Sequence, residues 1–393
     1  MSKNIKTYNE KERKKGSKNK RKRRLLKERK RKKSTPKKEA ARILRRKIRR
    51  DRERVRKEMY AEYNFKNNNH IVALPPSMGV EKDEFADDFI DKAYECVNFN
   101  AGRLTIDMEK SSRIWPSAIT LFCSLKQWVE MCPSKYIKKG VSRPIIASST
   151  PIDDKVESYL QFSGFYNYVG RQSTGTNTGP LYADNEIVKI EREMKKDGYV
   201  KKDDAIYSLL KLYSSLGAQD LERIYANVFT EIFNNVLEHG ISKVDQGYWS
   251  IAQLHRKTGI ISVCIADNGI GIAKTLLTGP QRSIIVRNFG SDNIPEGSLI
   301  EHAMNDSISG AMDAATDVKS RIFAEDKYPR GRKRGFGLKR IKDTCARTSV
   351  AFGILSGKGY LFFDEKGQKV KCGEKDKRIF AGTMFILKIP AKQ

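Results

Sequence analysis

The chain has 393 residues and a formal net charge of +30, which is concentrated at one end. Residues 1–60 hold 30 Lys+Arg against 7 Asp+Glu, whereas the remaining residues hold 47 against 40. No apolar run approaches the roughly 18 residues of a membrane span, and six scattered cysteines without a CxxC pair argue against a disulfide frame or a zinc site. We therefore expect a cytoplasmic protein of two or three domains that carries a basic arm and has no contact with membranes.

Residues 1–65 form the basic arm. The first 33 residues have almost no apolar side chains, which predicts disorder. Thr35 and Pro36 then favour a helix start, and Lys37–Tyr63, which lacks Gly and Pro, predicts a long exposed helix. We expect residues 1–60 to bind the phosphate backbone of a nucleic acid without sequence specificity. The alternatives are a solubilising tail and an arm that binds an acidic protein surface.

Residues 66–170 alternate strands and helices. Leu104–Met108 predicts a strand, and Trp115-Pro116-Ser117 predicts the start of a helix. Ile145–Ala147 predicts a second strand, and Val156–Tyr168 predicts a second helix. This order is typical of a small α/β domain.

That order resembles a STAS-type domain, the fold of anti-anti-sigma factors, in which a Ser at a strand-to-helix turn accepts phosphate. Ser117 lies at about that place, so the resemblance implies it as a phosphate acceptor. The alternative is an ordinary residue of a first helical turn, since the chain has Pro-Ser-Ala-Ile where the family usually has Asp-Ser-Ser/Thr-Gly. Residues 171–205 are expected to be a linker, with a loop followed by a surface helix at 188–204.

Residues 206–393 begin with a strongly amphipathic helix, predicted at about 219–239. Glu231, Asn235 and His239 are spaced by four, so they lie along one edge of its buried face. A buried polar group without a partner costs roughly 2–7 kcal/mol. Either neighbouring side chains or a bound ligand must therefore satisfy this edge.

Two glycine-rich turns follow this helix. The apolar run Ile260–Ala266 predicts a buried strand, and it ends in Asp267-Asn-Gly269-Ile-Gly271. Gly335-Phe-Gly337-Leu338 opens a further helix, whose first backbone N–H groups suit an anion, and either Lys339 or Arg334 adds positive charge beside them. A last predicted strand begins near Gly382-Thr383.

In this order, the three segments resemble the N box, G1 box and G2 box of the GHKL ATPases (gyrase, heat-shock chaperone, histidine kinase and mismatch-repair families). The resemblance implies an α+β Bergerat fold, with a mixed sheet and helices on one face, that binds Mg-ATP. It implies Glu231 as the catalytic residue, Asn235 as the Mg²⁺ ligand and Asp267 as the acceptor for the adenine amino group. The other nucleotide-binding positions implied are Gly269, Gly271, Gly335, Gly337, Lys339 and Thr383.

The connection at residues 273–334 resembles the mobile lid of this family. We expect the protein to hydrolyse ATP or to transfer its γ-phosphate to a Ser or Thr of a regulatory partner protein. The alternative is a nucleotide-gated switch with little turnover, whose arm contacts nucleic acid. No phosphoacceptor-histidine hairpin, P-loop or protein-kinase motif set is present, which argues against a conventional sensor histidine kinase. A homodimer and the role of His239 stay open.

Overall fold

The structure is a computed structural model, and it describes most of the chain from residue 66 onward. It describes residues 66–81, 83–132, 137, 143–169, 186–193, 198–236, 247–279, 282–305 and 337–392, together with seven residues of the arm. Those seven are all helical: Arg42, Ile43, Arg46, Lys47, Arg50, Glu53 and Arg54. Residues 1–54 and 55–393 form two compact units, and the elements below belong to the second. Within the described residues, no helix combines the length and the apolarity needed to cross a membrane.

A three-stranded parallel sheet forms the first layer, in the order β1–β3–β5. Its crossovers are helices, as parallel pairing requires. Pro116 is the first residue of helix α2 (Pro116–Glu130). Backbone N–H groups in the first turn of a helix have no partner within the helix, so the missing N–H of proline costs no hydrogen bond there. The elements of this layer are β1 (Lys66–Ala73), β2 (Ser77–Met78), α1 (Ala86–Val97), β3 (Ala101–Asp107), β4 (Arg113–Ile114), α2 (Pro116–Glu130), β5 (Ile145–Ser148), α3 (Asp154–Phe162) and α4 (Tyr166–Val169).

A seven-stranded sheet forms the second layer, in the order β11–β10–β9–β12–β8–β7–β6. Its strands are β6 (Ile187–Glu193), β7 (Tyr248–His255), β8 (Ile260–Asp267), β9 (Ala351–Ser356), β10 (Gly359–Phe363), β11 (Lys369–Glu374) and β12 (Thr383–Pro390). All six neighbouring pairs are antiparallel. The mixed sheet that the resemblance implied is therefore wrong for these strands. Short turns join β7 to β8, β9 to β10 and β10 to β11, and such turns pair strands antiparallel.

Part of the expected linker 171–205 belongs to this sheet. Residues 187–193 form the edge strand β6, which pairs with β7, so the prediction of a surface helix and turn at 188–204 is wrong for this part, whereas residues 198–204 are helical. Ile190 is buried, whereas Lys189 and Glu191 are exposed, and this alternation is that of a strand with one covered face. The density of charged residues had favoured a helix there. Helix α5 (Gly198–Tyr213) follows.

Helices cover one face of the seven-stranded sheet. The helix predicted at 219–239 consists of α6 (Ala218–Ile224), a π-helical turn (Tyr225–Phe229) and α7 (Thr230–Asn235). The remaining helices are α8 (Ile272–Thr278), α9 (Arg282–Phe289), α10 (Glu296–Asn305) and α11 (Gly337–Arg347). Apolar side chains of α5, α6, α7, α10 and α11 share one core with the sheet. The π turn lies directly before Glu231, and such turns are frequent at functional sites.

Helix α2 covers the opposite face of the same sheet. It is buried on almost its whole circumference, because it contacts β5 on one side and β7 and β8 on the other. Gln127 Oε1 accepts a hydrogen bond from Trp249 Nε1 of β7 at 2.9 Å. At the start of α2, the Glu81 carboxylate accepts from the Ser117 N–H at 2.8 Å and from Ser262 Oγ of β8 at 3.0 Å. Helices therefore lie on both faces of the sheet, not on one.

We predict that the seven-stranded sheet needs the first layer in order to fold. A fragment of residues 186–393 exposes apolar side chains that the first layer covers: Trp249, Ile251, Cys264, Ala266, Met384 and Ile386. Exposed apolar surface of this extent promotes aggregation, so the fragment should lack a cooperative thermal transition, whereas residues 55–393 should show one. Circular dichroism and size-exclusion chromatography check this. A monomeric 186–393 fragment that unfolds cooperatively would contradict the shared core.

Candidate functional site

Asp267 is the last residue of β8, and it lies between two neighbouring strands. Its register partners are Tyr248 of β7 and Thr383 of β12. Its side chain is only 4% exposed, and this burial raises the pKa of Asp267 to about 7. Hydrogen bonds from the backbone N–H groups of Gly269 and Thr383 act in the opposite direction but do not cancel the effect of burial. Near pH 7 the carboxyl group is therefore about half ionised, in a place where it has little water around it.

Gly269 and Gly271 form the turn that follows Asp267. The Gly269 N–H donates to Asp267 Oδ1 at 2.6 Å. Gly271 immediately precedes α8, where the Ile272 N–H donates to Ser356 Oγ at 2.8 Å. The backbone of the turn is thereby fixed at both of its ends.

Gly382 and Thr383 close this part of the site from β12. A Cβ atom at Gly382 would overlap the carbonyl oxygen of Asp267, so only glycine allows β12 to begin this close to the turn. Thr383 Oγ1 lies 3.1 Å from Ser356 Oγ. Asp267, the glycine turn and the Gly-Thr pair consequently form one connected, buried cluster.

Helix α7 carries Glu231 and Asn235 and is in contact with the strand next to Asp267. Phe233 of α7 packs edge-to-face on Tyr248, with ring centroids 5.6 Å apart, and Tyr248 is a register partner of Asp267. Asn235 Nδ2 is buried and has no hydrogen-bond partner among the described residues. Buried amide groups without a partner are uncommon, so this one indicates a place where a ligand or water belongs.

Helix α11 brings the third motif against α7. A Cβ atom at Gly337 would lie 2.8 Å from Glu231 Oε2. Arg340, three residues further along α11, forms an ion pair with Glu231 Oε1. Lys339 is partly buried on the same turn. Gly335 and His239 lie outside the described residues.

Two contributors to this site were not predicted from the sequence. Arg340 pairs with Glu231. The sequence feature that could have indicated Arg340 is its spacing of three from Gly337, which places both residues on one face of α11. Asn268 donates through Nδ2 to the Ser124 carbonyl of α2 at 2.9 Å, which ties the turn to the first layer. An Asn-Gly pair is common in turns of every kind, so no signal in the sequence indicated the role of Asn268.

Ser117 is not placed to accept phosphate. Its side chain is fully buried, and its Oγ donates to Glu81 at 2.7 Å. A kinase would have to open the start of α2 in order to reach it. The expectation of a phosphate acceptor is therefore wrong for the folded chain, and Ser117 is instead a residue of the first turn of α2, as the alternative proposed.

The connection expected to be a lid is partly built into the fold. Its first half contains α8, α9 and α10. A Cβ atom at Gly297 of α10 would lie 2.5 Å from the Gly373 carbonyl oxygen, and Glu296 Oε2 accepts from the Lys358 N–H at 2.8 Å. Helix α10 is thus packed tightly on β10 and β11. The rest of the expected lid, residues 306–334, lies outside the described residues.

Comparison with known proteins adds no family assignment. No protein-family model matches the chain, and no curated protein matches it either.

We predict that the burial of Asp267 makes the protein less stable as the pH rises. The pKa of Asp267 is raised from 3.8 to about 7 on folding, so between these values the unfolded chain ionises first. The free energy of unfolding should therefore fall from about pH 4 to about pH 7 and then level off. Asp267→Asn should reduce this fall, to which Glu81 and Glu296 also contribute because burial raises the pKa of both, and it should be more stable than the wild type at about pH 8.

Urea unfolding at several pH values measures this difference. Asp343→Asn is the matched control, because Asp343 is exposed on α11. The control should keep the pH dependence of the wild type. If Asp267→Asn kept the full pH dependence of the wild type, a desolvated carboxyl group at this position would be contradicted.

Proposed function

We propose that the chain binds Mg-ATP, as a GHKL-type protein, at the site formed by α7, the turn after β8 and the start of α11. The buried Asp267 carboxyl group is the observation that carries this proposal. It lies beside a glycine turn at the end of β8, and α7 contacts the neighbouring strand β7 through Phe233 and Tyr248, the register partner of Asp267. An adenine amino group that donates to this carboxylate would gain a charge-assisted hydrogen bond in a dry environment.

The other described groups fit the rest of Mg-ATP. Mg²⁺ takes few protein ligands and fills its remaining coordination positions with water and phosphate oxygens. An amide oxygen suits it, and the side chain of Asn235 supplies an amide oxygen. The backbone N–H groups at the start of α11, an 11-residue helix, suit a phosphate group, and Lys339 adds positive charge there. Among the described residues, no group of three or more His, Cys, Asp or Glu could hold a metal ion.

The reaction that fits these groups is attack on the γ-phosphorus by water or by a hydroxyl group. The new bond joins the attacking oxygen to phosphorus, the bond to the β,γ-bridging oxygen breaks, and ADP leaves. Glu231 accepts the proton of the attacking group. Ser117 is buried, so the Ser or Thr that we propose as the phosphate acceptor is that of a partner protein and not Ser117.

Two single substitutions test this proposal. Asp267→Asn should weaken Mg-ATP binding by about 10- to 100-fold, because an amide replaces the charged acceptor. The wild type should also prefer ATP to ITP, whose ring presents a carbonyl oxygen instead of an amino group. Glu231→Ala should keep ATP binding and lose turnover.

Isothermal titration calorimetry and a phosphate-release assay measure these quantities, with Asp343→Asn as the control. No binding of Mg-ATP by the wild type would sink the proposal. Equal binding of ATP and ITP would remove Asp267 from the site.

A nucleotide-gated switch is the second candidate function, and the contact of Glu231 with Arg340 favours it. A carboxylate held in an ion pair is poorly placed to accept a proton, so binding without turnover is consistent with the structure. In this case ATP binding would control how the basic arm binds the phosphate backbone of a nucleic acid.

We predict that the arm binds nucleic acid in a salt-dependent manner. Residues 1–60 hold 30 Lys+Arg, and release of counterions makes such binding fall steeply as salt rises. The full chain should bind single-stranded RNA of mixed sequence in a filter-binding assay, and residues 55–393 should lose this binding. A fragment of residues 55–393 that binds as tightly as the full chain would exclude the arm as the contact.

A further inference from the structure

One face of α11 lies against Glu231. Gly337 and Arg340 are three residues apart, and Ile341 and Thr344, both buried, continue the same face towards the end of the helix. The first two residues of this row are the ones that contact Glu231.

Both carboxylate oxygens of Glu231 are close to α11. Oε1 accepts from Arg340 Nη1, and Oε2 lies 2.8 Å from the position that a Cβ at Gly337 would take. The Glu231 side chain is 13% exposed, and that of Arg340 is 29% exposed. In this arrangement, Arg340 occupies one acceptor position of Oε1, and it must move before that position can receive a proton from a water molecule or a hydroxyl group.

Arg340 also belongs to the first turn of α11, where the backbone N–H groups suit an anion. A guanidinium group has five N–H donors and binds phosphate oxygens in pairs, so a phosphate group is a strong alternative partner to a single carboxylate. Arg340 therefore lies beside Glu231 and on the helix turn where a phosphate group would bind, so the two negative charges would compete for it.

We infer that Arg340 holds Glu231 in the nucleotide-free protein and moves to the terminal phosphate when ATP binds. This inference rests on the proposed function. The movement frees Glu231 Oε1 to accept a proton only when a γ-phosphate is present, and it makes Arg340 the residue that distinguishes ATP from ADP. A ligand shifts such an equilibrium only by its differential affinity for the two states, and the γ-phosphate supplies that difference.

The affinity ratio of a non-hydrolysable ATP analogue to ADP, each with Mg²⁺, tests this inference without relying on turnover. Arg340→Gln should lower that ratio by about 10- to 100-fold through loss of a charge-assisted contact, with little change in ADP affinity. Arg340→Lys should recover part of the ratio, since it keeps the charge but not the paired donors. Arg347→Ala is the matched control, because Arg347 is exposed at the far end of the same helix.

Glu231→Gln provides a second, independent measurement. It removes the charge that competes for Arg340, so the ATP analogue should bind several-fold more tightly than to the wild type. This gain should disappear in the double variant with Arg340→Gln, because the two residues act as one coupled pair.

The outcomes separate the inference from the proposed function. An unchanged ratio in both Arg340 variants, or equal losses of ATP-analogue and ADP affinity, overturns the inference and leaves nucleotide binding intact. A gain in Glu231→Gln that persists without Arg340 also overturns it. If the wild type binds neither nucleotide, the proposed function fails, and the inference fails with it.

Discussion

The burial of β8 on both faces sets the chemistry of the candidate site. One face of this strand meets the helices α5 to α7, and the other meets α2 of the first layer. Because water is excluded from both sides, the carboxyl group at the end of β8 is held with a pKa near 7, and its few hydrogen bonds come from backbone N–H groups. A buried carboxyl group of this kind favours a ligand that carries a hydrogen-bond donor, such as the amino group of a purine.

The first layer is part of this arrangement. Three buried hydrogen bonds join it to β7, β8 and the turn after β8, through the side chains of Gln127, Glu81 and Asn268. The resemblance of residues 66–170 to a regulatory domain suggested a separate module with an accessible serine. Instead, the two layers share one hydrophobic core, and Ser117 is a buried donor to Glu81, the residue that accepts from Ser262 of β8. A change in α2 would therefore act directly on the turn that contains Asn268.

Local patterns were enough to predict the parts of the site but not their contacts. The spacing of Glu231 and Asn235, the apolar run that ends at Asp267 and Gly337 at the start of α11 are features of short segments, and each lies on the expected type of element. The π turn before Glu231, the edge strand β6 and the antiparallel order of the sheet depend on tertiary packing, which no local pattern contains. The pairing of Arg340 with Glu231 joins residues 109 positions apart, so a single sequence gives no direct sign of it.

Hydrogen–deuterium exchange with and without Mg-ATP tests most directly whether the three segments form one nucleotide site. A bound nucleotide should slow exchange in both residues 269–272 and residues 337–341, because a ligand held between Asp267 and the start of α11 would reduce the local opening of both segments. Protection of both segments would support a single site between them. Protection of only one, or of neither in a sample shown to bind Mg-ATP, would contradict it.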